Sequence, residues 1–177
     1  MRLFIALNFD EKMKNWIAAI SEQLRMMTVR GTFSQRDNFH LTLVFLGDQR
    51  PSSVVKIKEA MNTIEMGKVD LTIGGIGRFR RNGGDIYWMG VEKTMHLETI
   101  YNTLCTELKH FGFDIDERPF QPHLTLARQV VVKKEFDRDA FSAAIEKKRY
   151  TIGRVSLMLS ERVNGKLTYT EIYGKDL

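Results

Sequence analysis

Cysteine is nearly absent: Cys105 stands alone among 177 residues, so no intramolecular disulfide can form and no zinc ribbon can be assembled from thiolates. No stretch approaches the roughly 18 uninterrupted apolar residues that a membrane-crossing helix needs. The opening Met1-Arg2-Leu3-Phe4-Ile5-Ala6-Leu7-Asn8-Phe9-Asp10 is interrupted by Asn8 and Asp10 too early for a secretory leader, and reads as a strand. A reducing, cytoplasmic setting without membrane contact is therefore expected. The chain also lacks a His-Glu-x-x-His pattern and a Gly-x-Ser-x-Gly elbow, which disfavours a metalloprotease-like centre and a serine triad. The glycines of Ile73-Gly74-Gly75-Ile76-Gly77-Arg78 match neither a Walker loop nor a dinucleotide fingerprint and are read as a bend between strands. There is no low-complexity tract and no long linker.

What is present fits a globular chain. Hydrophobic residues make up 43% and charged residues 28%, enough to bury a core. Lys and Arg exceed Asp and Glu, leaving a formal charge of +5, a modest bias toward anionic partners such as phosphates or RNA. Asp10 can cap a helix with Met13, Trp16, Ile17, Ile20 and Leu24 at helical spacing, followed by Gly31. A strand from about 39 to 46 precedes a helix opened by Pro51-Ser52-Ser53, with strands near 69–73 and 86–91 behind it. A helix over about 94–111 holds Cys105 in the apolar series Leu97, Ile100, Tyr101, Leu104 and Leu108, which marks it as a packed thiol. A strand follows Pro122, then a helix carrying Phe136, Ala140, Phe141, Ala144 and Ile145, then a hairpin turning at Asn164-Gly165. Asn82-Gly83-Gly84-Asp85 is a second turn, with Arg78, Arg80 and Arg81 around it open to RNA backbone or to solvent. Interleaved strands and helices with short turns favour an α+β fold with antiparallel sheets.

Two of the four histidines begin the same tetrapeptide: His40-Leu41-Thr42-Leu43 recurs as His123-Leu124-Thr125-Leu126. Alternation along a strand puts His40 and Thr42 on one face and Phe39, Leu41, Leu43 and Phe45 on the other, which must be core. If the halves are related by an approximate two-fold axis, two imidazoles and two hydroxyls converge on one cleft. That set suits a phosphodiester, whose entering and departing oxygens lie in line on opposite sides of phosphorus. A neutral imidazole can take a proton on one side while a protonated one donates on the other, and threonine hydroxyls can hold the non-bridging oxygens. Neither motif places carboxylates at metal-ligand spacing, so a metal cage is disfavoured. His96 and His110 lack the tetrapeptide and are read as solvated helix residues.

Arg2-Leu3-Phe4-Ile5-Ala6-Leu7, Phe39-His40-Leu41-Thr42-Leu43 with Phe45-Leu46-Gly47, and Arg118-Pro119-Phe120-Gln121-Pro122-His123-Leu124-Thr125-Leu126-Ala127-Arg128 together resemble the RNA 2′,3′-cyclic phosphodiesterases. These belong to the two-histidine phosphoesterase superfamily, long labelled 2′-5′ RNA ligases. The resemblance covers nearly the whole chain. It implies residues 1–177 as a single domain of two intertwined, pseudo-symmetric lobes, each an antiparallel sheet with helices outside, around a central cleft. It implies hydrolysis of RNA 2′,3′-cyclic phosphate ends, or of small cyclic nucleotides, to a 2′-phosphate by a monomer using no metal or other cofactor. By position, His40 matches the proton donor to the departing oxygen and His123 the acceptor that activates water. Thr42, Thr125 and Arg128 match the phosphate-binding residues.

One position strains this reading and another agrees with it. Strict alternation puts Arg128 on the Leu124 and Leu126 face, away from His123, unless the strand ends or bulges. With Leu3, Ile5, Leu7 and Phe9 facing the core, Phe4 faces the cleft, where it can stack a nucleobase or pack between the lobes. Trp88 and Phe120 are read as core. Two alternatives stand beside hydrolysis of cyclic RNA ends: an RNA-end binding module without turnover, and a phosphodiesterase acting on 2′-5′ linked oligonucleotides or on an ADP-ribose cyclic phosphate.

Overall fold

A computed structural model describes residues 1–177. Along the chain lie β1 (Arg2–Asn8), α1 (Glu11–Met26), β2 (Thr28–Phe33), a 3₁₀ turn (Arg36–Asn38), β3 (His40–Asp48) and α2 (Ser53–Asn62). There follow β4 (Val69–Phe79), β5 (Asp85–Val91), α3 (Met95–His110), β6 (His123–Val132), α4 (Arg138–Ala143), β7 (Lys148–Ile152), β8 (Arg154–Val163) and β9 (Lys166–Asp176). The strands form two antiparallel sheets, one in the order β3-β1-β8-β9 and one in the order β2-β6-β5-β4-β7. The architecture is α+β with two lobes. The four-stranded sheet joins strands from both ends of the chain, the five-stranded sheet takes the strands between them, and the two motif strands, β3 and β6, lie side by side where the sheets meet.

The helices form where capping and periodicity agree. Asp10 accepts from the Met13 amide at 2.8 Å and Thr94 from the Leu97 amide at 3.2 Å, each satisfying an orphan donor in a first turn. Behind those caps, Met13, Ile17, Ile20 and Leu24 of α1 and Leu97, Ile100, Leu104 and Leu108 of α3 are buried against the sheets in one continuous apolar cluster. Cys105 flanks that stripe, half-buried, and burial pushes its thiol up, in keeping with packing rather than reactivity. The Asn164-Gly165 turn has positive φ at both residues, 50° and 79°, and joins β8 to β9 with Val163 opposite Lys166.

Several details depart from the sequence reading. Residues after α1 form strand β2, an edge strand whose middle four residues are all exposed, and the opposite edge, β7, is a short strand that the sequence reading did not separate, although Tyr150 and Ile152 alternate with exposed residues. The glycine-rich bend is not between strands but inside one: β4 runs unbroken from Val69 to Phe79, with a register shift between Ile73 and Ile76. Gly75, at φ +68°, supplies the left-handed conformation there.

The most consequential departures are bulges in the two motif strands. In β3, Ala6 pairs with Thr42 but Ile5 pairs with Val44, so Leu43 is an extra residue and both Leu43 and Val44 point into the core. Phe45, expected in the core, is thereby turned to the opposite face and is 50% exposed. In β6, Trp88 pairs with Thr125 but Tyr87 pairs with Ala127, so Leu126 is the extra residue and Leu126 and Ala127 are both buried. The same slip brings Arg128 back to the side of His123 and Thr125.

Candidate active site

Each motif histidine is anchored in the same way. Nδ1 of His40 lies 2.7 Å from the carbonyl oxygen of Asn38, and Nδ1 of His123 lies 2.7 Å from that of Gln121. A carbonyl only accepts, so Nδ1 carries the hydrogen in both rings and Nε2 is left as the atom that gains or loses a proton. Nε2 of His40 also lies 2.9 Å from Oγ1 of Thr42, which can donate to the neutral ring. His123 forms no matching bond to Thr125 and is the shallower of the two.

Aromatic rings pack both imidazoles in place. His40 sits between Phe4, 4.8 Å away, and Tyr169 of β9, which meets it edge-on at 5.1 Å. His123 sits between Phe79, edge-on at 5.1 Å, and Trp88 at 5.9 Å. Trp88 can reach this position because it crosses β4 at Gly77, where an added Cβ would lie 2.2 Å from the indole ring. Ser34 secures the second bulge: its hydroxyl donates to the Thr125 carbonyl at 2.9 Å and its amide to the Leu126 carbonyl at 2.8 Å.

The electrostatics tie the two motifs together. Burial holds both imidazoles below the ordinary histidine range, while the Asn38 and Gln121 carbonyls pull the other way by favouring the charged ring. The Arg128 guanidinium disfavours protonation of both rings, and the charge of His123 further disfavours protonation of His40. Arg128 also acts on the Tyr169 phenol, against the upward push of burial. One cation therefore lies within the field of both lobes' aromatic and imidazole groups. No three His, Cys, Asp or Glu side chains gather anywhere in the chain, so this donor set is poor in metal ligands.

His40, His123 and Arg128 thus lie within one another's field, with Thr42 bonded to His40 and with Thr125 and, by way of the bulge, Arg128 on the His123 side of β6. Phe4 resolves toward packing: it faces the cleft side but is only 4% exposed, covered by His40 and Tyr169 in a small cluster with Ala6 and Met158. It cannot stack a nucleobase from there. Phe120 packs partly buried against the main cluster, stacked on Tyr101 at 4.1 Å. Trp88 is corrected from core to cleft wall, because Tyr87, Met89 and Val91 are the buried face of β5 and Trp88 lies on the other. Alternation along β5 carried that signal. Tyr169, Phe79, Ser34 and the Asn38 and Gln121 carbonyls were not foreseen.

Comparison with known proteins points one way. A family model described as the 2′-5′ RNA ligase superfamily matches residues 11–164. A protein of Thermotoga maritima named RNA 2′,3′-cyclic phosphodiesterase is 35% identical over 131 residues, covering 72% of this chain and 70% of the relative. A protein of the same name from Methanothermobacter thermautotrophicus is 27% identical over 181 residues, covering 97% of this chain and 96% of the relative. Among solved structures, E. coli LigT complexed with 3′-AMP superposes with a TM-score of 0.81 at 24% identity, covering 99% of this chain and 97% of that one. TT0787 of Thermus thermophilus superposes with a TM-score of 0.85 at 19% identity, covering 100% and 98%. At those identities the two structures speak to the fold.

Proposed function

The chain belongs to the 2′-5′ RNA ligase superfamily, and from that premise we propose that it hydrolyses RNA 2′,3′-cyclic phosphate ends to 2′-phosphates, using His40 and His123 and no metal. The observation that carries the reading is the matched pair of Nδ1–carbonyl bonds, which leave one Nε2 on each motif for proton transfer.

In this mechanism neutral His123 removes a proton from water at Nε2 as the water oxygen attacks phosphorus. The bond from phosphorus to the 3′ oxygen breaks, and that oxygen takes a proton from Nε2 of His40. One water is consumed, a 3′-hydroxyl and a 2′-phosphate result, and exchange with solvent restores the two protonation states. Thr42, Thr125 and Arg128 hold the non-bridging oxygens and stabilise the charge they gain in the transition state. The depressed affinity of both rings for protons keeps a base available; the incoming phosphate anion offsets the Arg128 charge and lets His40 hold its proton. Phe45, half exposed on the histidine face of β3, takes over the base-stacking role that Phe4 cannot fill. The single packed thiol suits action in the reducing cytoplasm.

Incubation with a 2′,3′-cyclic mononucleotide, followed by phosphorus NMR, tests this. The expected product is the 2′-phosphate alone, formed at the same rate in excess chelator. A 3′-phosphate product, or activity lost to chelator and restored by one divalent ion, overturns the mechanism. An intact cyclic phosphate would leave a binding module.

A further inference from the structure

The site accounts for one phosphate, yet the cationic surface does not end there. Arg25, Arg36, Arg78, Arg118, Arg138 and Arg154 each lie against a carboxylate. Of the arginines without such a partner, Arg30, Arg80, Arg81 and Arg128 are all exposed around one end of the five-stranded sheet. Arg80 and Arg81 follow Phe79, the ring against His123, and two residues of chain span at most ~7 Å. They open onto a concavity of about 600 Å³ lined by Arg78, Arg80, Arg81, Asn82 and Asp85, without a hydrophobic residue.

Its one carboxylate is already engaged, since Asp85 accepts from Arg78 Nη1 at 3.0 Å and from the Arg81 amide at 3.2 Å. The guanidinium of Arg81 meets only the Arg80 carbonyl, at 2.9 Å.

Two contacts hold this hairpin tip beside Arg128. Gly84 presses on the backbone of Gln129, the residue after Arg128, so closely that an added Cβ would lie 2.5 Å from the Gln129 carbonyl carbon. Arg30 Nη2 donates to the Gly83 carbonyl at 3.0 Å. Arg30 belongs to β2, two residues from Thr32, which pairs with Arg128, while the intervening Gly31 faces the buried Val130. Arg30, Thr32 and Arg128 therefore share the non-core face, and the fixed tip extends that face with two uncompensated charges.

We propose that Arg30, Arg80 and Arg81 form a track for the phosphodiester backbone of single-stranded RNA upstream of the cyclic end, making the natural substrate an oligonucleotide rather than a mononucleotide. The proposal rests on the reading above and extends it from the terminal phosphate to the chain behind it. Backbone phosphates match guanidinium groups in charge and in hydrogen-bond geometry, and the absence of an apolar lining fits sequence-tolerant binding.

The test compares a 2′,3′-cyclic mononucleotide with a hexanucleotide carrying the same end, in the wild type and in the R80A/R81A double variant. Both side chains are exposed and lack carboxylate partners, and a melting curve confirms folding. The wild type is expected to favour the hexanucleotide in kcat/KM. The variant keeps mononucleotide turnover within twofold, raises KM for the hexanucleotide by about tenfold, and loses about 1.4 from the slope of log affinity against log salt. Equal wild-type kcat/KM on both substrates, or an unchanged hexanucleotide KM and salt slope in the variant, overturns the track. Fluorescence anisotropy with a labelled hexanucleotide ending in a 2′-phosphate reports the track without turnover. Lost binding in the variant supports the track even if the wild type opens neither cyclic substrate, a result that would sink the hydrolytic reading alone.

Discussion

Strands β3 and β6 begin as near copies and end differently. From each histidine onward, six residues alternate and then double in burial in the same order, through the same one-residue bulge, and each ring is tied by Nδ1 to the carbonyl two residues before it. The sixth position breaks the likeness: Phe45 in β3, Arg128 in β6. So does the setting, because β3 is the edge of its sheet while β6 lies between β2 and β5. The shared part supplies two imidazoles tethered alike through Nδ1; the unshared part makes the cleft lopsided, with a cation on one side and an aromatic face on the other. Under the proposed function the asymmetry has a use, because a cyclic phosphate end is itself lopsided, an anion joined to a nucleoside, and a symmetric cleft could not orient it.

The sharpest way to break the comparison is to remove the shared part. His40→Ala and His123→Ala are each expected to lower turnover at least about a hundredfold, with the double variant little worse than either single one, since the rings act as a unit. Full activity in both single variants sinks the mechanism. Removing the unshared cation comes next. Arg128→Gln is expected to lower kcat/KM about tenfold to a hundredfold, the loss of one charge-assisted contact. It should also move the pH profile.

The sign of that move follows from the field. Both rings bind protons less readily than ordinary histidines, so the wild-type kcat/KM optimum should lie below about 6.5. Deleting a positive charge raises both affinities and shifts the optimum upward, and an unmoved profile would show that the guanidinium does not act on the imidazoles. Ser34→Ala tests the setting, with the smallest effect. Losing the bond to the Thr125 carbonyl should cost about 1 kcal/mol and lower Tm by about 2–4 °C, and an unchanged melting curve would show the bulge needs no seal.

The repeated tetrapeptide, the core-facing set on β1 and the caps of α1 and α3 were legible because period and capping leave a mark on neighbouring residues. The bulges were not, since an extra residue in a ladder shows only as an apolar pair, Leu43-Val44 or Leu126-Ala127, which strict alternation treats as noise. The first bulge went unread and Phe45 was misplaced; the second was signalled only by Arg128, whose face under strict alternation fitted the motif only if the strand ended or bulged there. Strand β2 was lost for a different reason: as an exposed edge, Thr28–Phe33 has no buried face to set a period. Tyr169 could not be found locally at all, because its meeting with His40 spans most of the chain.

That span has a cost in time. The first strand lies between β3 and β8, so Arg2–Asn8 must wait for Arg154–Val163 to leave the ribosome before its second ladder can close. Until then the His40 pocket has one wall, and a chain cut anywhere between the two motifs should yield fragments of which neither completes a lobe.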